Sequence, residues 1–141
     1  MADLLHSVPV DASPKKVYDA VATQEGMRSW WTRDTQMETR VGGKAEFGFD
    51  RRGMVFRMVV DALEPGKRIR LSCSGDHPEW AGTTLEWKIE PSSNGAVLNF
   101  IHRGWREITP FAASCNSTWG ELMYRFKNYV EGRKPGPHWT E

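Results

Sequence analysis

The sequence predicts an α+β fold: a curved antiparallel sheet of about six or seven strands wraps a long C-terminal helix, with two short helices after the first strand. Apolar residues recur with a period of two between Met37 and Arg103, and with a helical period from about Phe111 to Gly132. Between Ser13 and Trp31 the spacing is helical and short. One helix is narrower than a sheet of this width. The sheet must curve to cover its apolar face, and such curvature leaves space between the two layers.

The elements follow in order. A first strand over Leu4 to Val10 stops at Asp11-Ala12-Ser13-Pro14, where Ser13 suits an N-cap and Pro14 the first helical position. Val17, Ala20 and Val21 give this helix an apolar side as far as Thr23. A second short helix begins at Glu25-Gly26-Met27 and carries Trp30 and Trp31, of which one packs inward and the other sits at a surface or rim. Met37 opens a strand, and Val41-Gly42-Gly43 turns the chain. The inward positions are then Ala45, Phe47 and Phe49, followed by Met54, Phe56, Met58, Val60 and Ala62. After Pro65-Gly66 come Ile69, Leu71 and Cys73, and later Leu85, Trp87 and Ile89. Asn94-Gly95 is a hairpin signal leading to Leu98, Phe100 and His102. The long helix, about 111–132, has the stripe Trp119, Leu122, Met123, Phe126 and Val130, with Gly132 as its stop and 133–141 as a tail.

A chain of 141 residues fits one domain spanning 1–141. Nineteen basic against eighteen acidic residues leave a net charge of +1, which supplies no footprint for nucleic acid. No apolar run spans a membrane, and no leader opens the chain, so a cytoplasmic location without membrane insertion is expected. The two cysteines, Cys73 and Cys115, read as reduced thiols. His6, His77 and His138 lack metal-ligand spacing, and no glycine-rich phosphate loop is present, so neither metal nor cofactor is expected. Seven Trp is a large number for this length and points to a roomy apolar interior.

Several short signatures now resemble one family. They are Val8-Pro9-Val10-Asp11-Ala12-Ser13-Pro14, Val17-Tyr18-Asp19-Ala20, Ser29-Trp30-Trp31, His102-Arg103-Gly104-Trp105, Trp119-Gly120-Glu121-Leu122 and Tyr129-Val130-Glu131-Gly132. In this order they resemble the START-like (SRPBCC, helix-grip) superfamily, in the branch of the activator of heat-shock-protein-90 ATPase. The resemblance implies a cavity between the long helix and the sheet that holds an apolar small molecule such as a lipid, polyketide or aromatic compound. Some relatives so implied are cyclases or other ring-modifying enzymes.

The inward register assigns the cavity wall to Phe47, Phe49, Phe56, Met58, Cys73, Trp87, Phe100, His102, Cys115, Trp119 and Met123, with Trp31, Trp80 and Trp105 at the rim. His102 is the one titratable candidate for acid–base work, read either as a hydrogen-bonded core residue or as a polar anchor or base for the ligand. Cys115 lies one turn before Trp119, and a catalytic thiol there would need a depressed pKa. Trp139 in the Pro-Gly-rich tail needs a partner surface, on this domain or a second subunit. Binding of a hydrophobic, uncharged or weakly polar molecule is thus the first expectation, and an enzyme acting on such a ligand the second. A module contacting a chaperone or a second copy of itself is the third.

Overall fold

The computed structural model describes all of residues 1–141. The chain begins with strand β1 (Ala2–Val10), followed by helices α1 (Pro14–Ala22) and α2 (Gln24–Trp30). Strands β2 (Thr35–Met37), β3 (Lys44–Phe49), β4 (Met54–Glu64) and β5 (Arg68–Cys73) come next. Strands β6 (Thr84–Ser92) and β7 (Gly95–Trp105) complete the sheet, and helix α3 (Pro110–Val130) ends the fold. The order across the sheet is β1-β7-β6-β5-β4-β3-β2, antiparallel throughout, and the sheet is curved and open. The helices α1 and α2 carry the chain from one edge of this sheet to the other. This is the helix-grip arrangement that the pattern predicts.

Local chemistry explains the junctions. The Ser13 hydroxyl accepts from the Lys16 N–H, and Pro14 occupies the first turn of α1. Thr23 closes α1 and opens α2 at once, donating to the Asp19 carbonyl at 2.6 Å and accepting from the Gly26 N–H at 3.0 Å. Gly26 is required there, because a Cβ would lie 2.5 Å from the Asp19 oxygen. Helix α3 stops at Val130 rather than 132: Gly132 takes φ 97°, and the Arg133 N–H turns back to the Asn128 carbonyl at 3.0 Å.

The inward alternation holds from β5 to β7. Ile69 pairs with Trp87, Trp87 with Phe100, and Leu85 with His102, and all five side chains are buried. In β4 it breaks. A bulge at Asp61 shifts the register between Val60 and Ala62, so Ala62 faces Arg70 and Leu63, not Ala62, joins Ile69 inside. Trp30 and Trp31 also depart from expectation, since both are buried. Trp30 turns toward α3, edge-on to Phe126, and donates its indole N–H to the Ala20 carbonyl, while Trp31 stacks on Phe47 at 4.3 Å. No helix is long and apolar enough to cross a membrane.

Candidate functional site

The inward stripe of α3 changes size along its length. Leu122, Met123 and Phe126 fill the space beneath the C-terminal half. Phe111, Ser114, Cys115, Thr118 and Trp119 continue the same i, i+3, i+4 spacing toward the N-terminus, but three of these five side chains are small. A cavity of about 260 Å³ remains under that half. Its other walls are Trp31, Phe49, Asp50, Met54, Phe56, Trp80 and Trp139.

Five of the rings form a closed circuit around it. Centroid distances run 6.0 Å from Trp31 to Phe49, 5.6 Å on to Phe56, 4.2 Å to Trp80, 6.1 Å to Trp119 and 5.2 Å back to Trp31. These are ordinary aromatic contact distances, so the rings brace one another as well as face the space. Trp139 adds a sixth ring, edge-on to Phe49 at 4.8 Å. It is held there by backbone: its N–H donates to the Trp31 carbonyl at 3.1 Å, and its own carbonyl accepts from Arg33 at 2.9 Å. The Arg125 guanidinium binds the Pro135 and Gly136 carbonyls, so the tail partner is this same chain.

Of the residues expected at the site, Phe49, Phe56, Cys115, Trp119, Trp31 and Trp80 line this cavity. Trp31 and Trp80 belong to its wall rather than its rim, with Trp80 only 5% exposed. Phe47, Met58, Cys73, Trp87, Phe100, Met123 and Trp105 do not line it; they are buried in the packed layer. Strand alternation reports which face a residue occupies. It does not report which end of that face α3 fills.

His102 also lies off the cavity wall. It is fully buried among Trp80, Trp105 and Trp119, with ring centroids 4.6, 4.7 and 6.1 Å away. The Trp119 indole N–H donates to Nδ1 at 3.2 Å, which leaves the proton on Nε2. Nε2 in turn donates to the Thr83 hydroxyl at 2.9 Å, and that hydroxyl donates to the Trp80 carbonyl at 2.7 Å. Burial pushes the imidazole down to about 3. Both nitrogens are engaged by protein, so the ring fixes the pose of two cavity tryptophans without touching the space itself.

The thiols have inert surroundings. Burial pushes Cys73 up to about 11. Burial also raises Cys115, against a weak opposing pull from the Trp80 indole N–H. An activated nucleophile needs the opposite shift. The Trp80 N–H is buried without a hydrogen-bond partner. No cluster of His, Cys, Asp and Glu is arranged to hold a metal ion.

Asp50, Met54, Phe111, Ser114, Thr118 and Trp139 line the cavity without having been expected there. Phe111, Ser114 and Thr118 were readable from their spacing to Trp119. Asp50, Arg51 and Arg52 all take positive φ, between 51° and 64°, in the β3–β4 turn, and no residue pattern announces that conformation. A second, larger concavity of about 640 Å³ lies on the surface at Lys16, Asp19, Glu25 and Tyr129. Few of its walls are apolar, and it is separate from the helix–sheet interior.

A curved antiparallel sheet gripping one long helix is the fold of START-like, SRPBCC proteins. Residues 11–131 match the model of the family described as Activator of Hsp90 ATPase homolog 1-like protein, and the chain belongs to that family. Among solved structures it is similar to the Aha1 dimer from Colwellia psychrerythraea, at 31% identity and a TM-score of 0.86, covering 95% of this chain and 99% of that one. It is also similar in fold to CalU16 from Micromonospora echinospora, at 15% identity and TM-score 0.71 over 92% of this chain and 75% of that one. DynU16, a protein in the dynemicin biosynthetic locus, shares 20% identity at TM-score 0.75 over 97% of this chain and 50% of its own. Among curated proteins none matches the chain.

Proposed function

We propose that residues 1–141 act as one START-like domain that binds a hydrophobic small molecule between α3 and the sheet. The observation that carries this reading is the closed circuit of five aromatic rings around about 260 Å³. A well-formed apolar cavity with few polar groups is the usual shape of a ligand site. DynU16, similar in fold, is named for the dynemicin biosynthetic locus, which is consistent with such a ligand. His102 acts through Trp80 and Trp119 in this reading, and its two engaged nitrogens argue against a base. The two free cysteines fit a reducing cytoplasm as the place of action. A second copy of the chain is the proposed protein partner, because the 31% identical relative is named as a dimer.

Titration with 1-methylnaphthalene, followed by the indole N–H resonances in 1H–15N spectra, tests the binding. Saturable shifts at Trp31, Trp80, Trp119 and Trp139 are expected, and a Cys115→Phe variant that fills the space should lose them at least tenfold in affinity. Shifts spread over all seven indoles and indifferent to that variant would overturn the reading.

A further inference from the structure

The cavity wall carries a charge pattern as well as a shape. Asp50 is its one ionisable acid, and no Lys, Arg or His lines it. The two cations next in sequence are already engaged: Arg51 pairs with Glu141 at 2.7 Å, and Arg52 pairs with Asp34 and Glu46, each at 2.8 Å. Three histidines pack on cavity residues instead of lining it: His77 against Phe111 at 4.2 Å, His138 against Trp139 at 4.3 Å and His102 against Trp80 at 4.6 Å. Seven Trp and Phe rings and one carboxylate line the space; a ring that turns its face inward offers negative quadrupole density, so such a lining favours positive charge over negative.

Size limits the guest further. A dry apolar cavity of about 150 Å³ accommodates benzene, so about 260 Å³ suits two fused rings or one ring with a short substituent. We propose that the cavity selects a compact organic cation, a flat aromatic ring system bearing a quaternary or ring nitrogen, over neutral and anionic molecules of the same shape. The ring system slides between the aromatic walls and its positive nitrogen sits at the mouth beside Asp50. This rests on the binding reading above and revises the expectation of an uncharged guest. Overall neutrality of the chain says little about a local field.

Three isosteric probes test it at pH 7.5 on the full chain: N-methylquinolinium, 1-methylnaphthalene and 1-naphthoate, each followed by indole N–H shifts and calorimetry. The cation should bind roughly tenfold tighter than the neutral ring, and the carboxylate weakest of the three. Asp50→Asn removes the charge and keeps a residue that tolerates positive φ. It should weaken N-methylquinolinium about threefold or more while leaving 1-methylnaphthalene unchanged. Equal affinity for the cation and its neutral isostere, or an Asp50→Asn variant with the cation preference intact, would overturn the selectivity while leaving binding established. If none of the three probes shifts an indole, the binding reading itself is overturned, and the selectivity with it.

Discussion

Around Trp87 and Phe100 the layer between the sheet and α3 is solid, whereas beside Phe49 and Phe56 it leaves a cleft of about 260 Å³ that opens to the surface at Asp50, Met54 and Ser114. Both ends use aromatic rings at alternating strand positions, so the sheet does not account for the difference. Helix α3 does. Its stripe is Leu122, Met123 and Phe126 over the packed end, and Ser114, Cys115 and Thr118 over the open one. Trp119 is the partition, touching Phe100 at 4.3 Å on one side and Trp31 at 5.2 Å on the other. An aromatic interior therefore becomes a cavity only where the facing helix withholds volume, and a Trp count is no measure of empty space.

The two ends should answer differently to truncation. Phe100→Ala opens a hole among close-packed neighbours and should lose about 3–5 kcal/mol in equilibrium urea unfolding. Phe56 is partly exposed and already faces open space, so Phe56→Ala should lose only about 1 kcal/mol. Equal losses at the two sites would mean that the open end collapses in solution and is packed like the other.

His102 ties the two ends together, and its titration makes that tie measurable. Its folded pKa, about 3, lies below the ordinary 6.5, so below pH 6.5 the unfolded chain takes up a proton that the native ring refuses. The stability this contributes is fully present above pH 6.5 and is lost as pH falls toward 3. Urea unfolding between pH 6 and pH 4 should lose roughly 1 kcal/mol per pH unit from this group. A His102→Gln variant, weaker at pH 7.5, should show a visibly flatter slope over that window. An unchanged slope would show that His102 is hydrated and protonates freely in the native state.

Much of this architecture was legible in the chain because period-two and helical patterns are local. Ile69, Leu71, Leu85, Trp87, Leu98 and Phe100 face inward as the alternation requires. The bulge at Asp61 was not legible, since it depends on how β4 pairs with β5 and not on its own composition. His102 stood out as a polar residue on an apolar face, but its partners Thr83 and Trp119 lie 19 and 17 residues away. No spacing rule links them. The site was half legible for the same reason: the helix stripe was in view, whereas the end of the sheet it would leave uncovered depends on the strand order and the curvature.

The tail gives the smallest and most specific effect. Trp139 closes one side of the open end, yet it contributes nothing to the packed end, and its backbone is held by Trp31 and Arg33 whatever its side chain. Trp139→Ala should therefore cost about 1 kcal/mol or less in urea unfolding, because the ring is only partly buried. Its effect should fall on the ligand. Removing one wall of the mouth shortens the bound lifetime more than it slows entry, since affinity differences among related complexes reside mainly in dissociation. Stopped-flow fluorescence with 1-methylnaphthalene should show dissociation faster by roughly five- to tenfold, with association changed less than twofold. If association rises as much as dissociation, Trp139 obstructs the entrance instead of holding the guest, and the open end is gated by its tail and not walled by it.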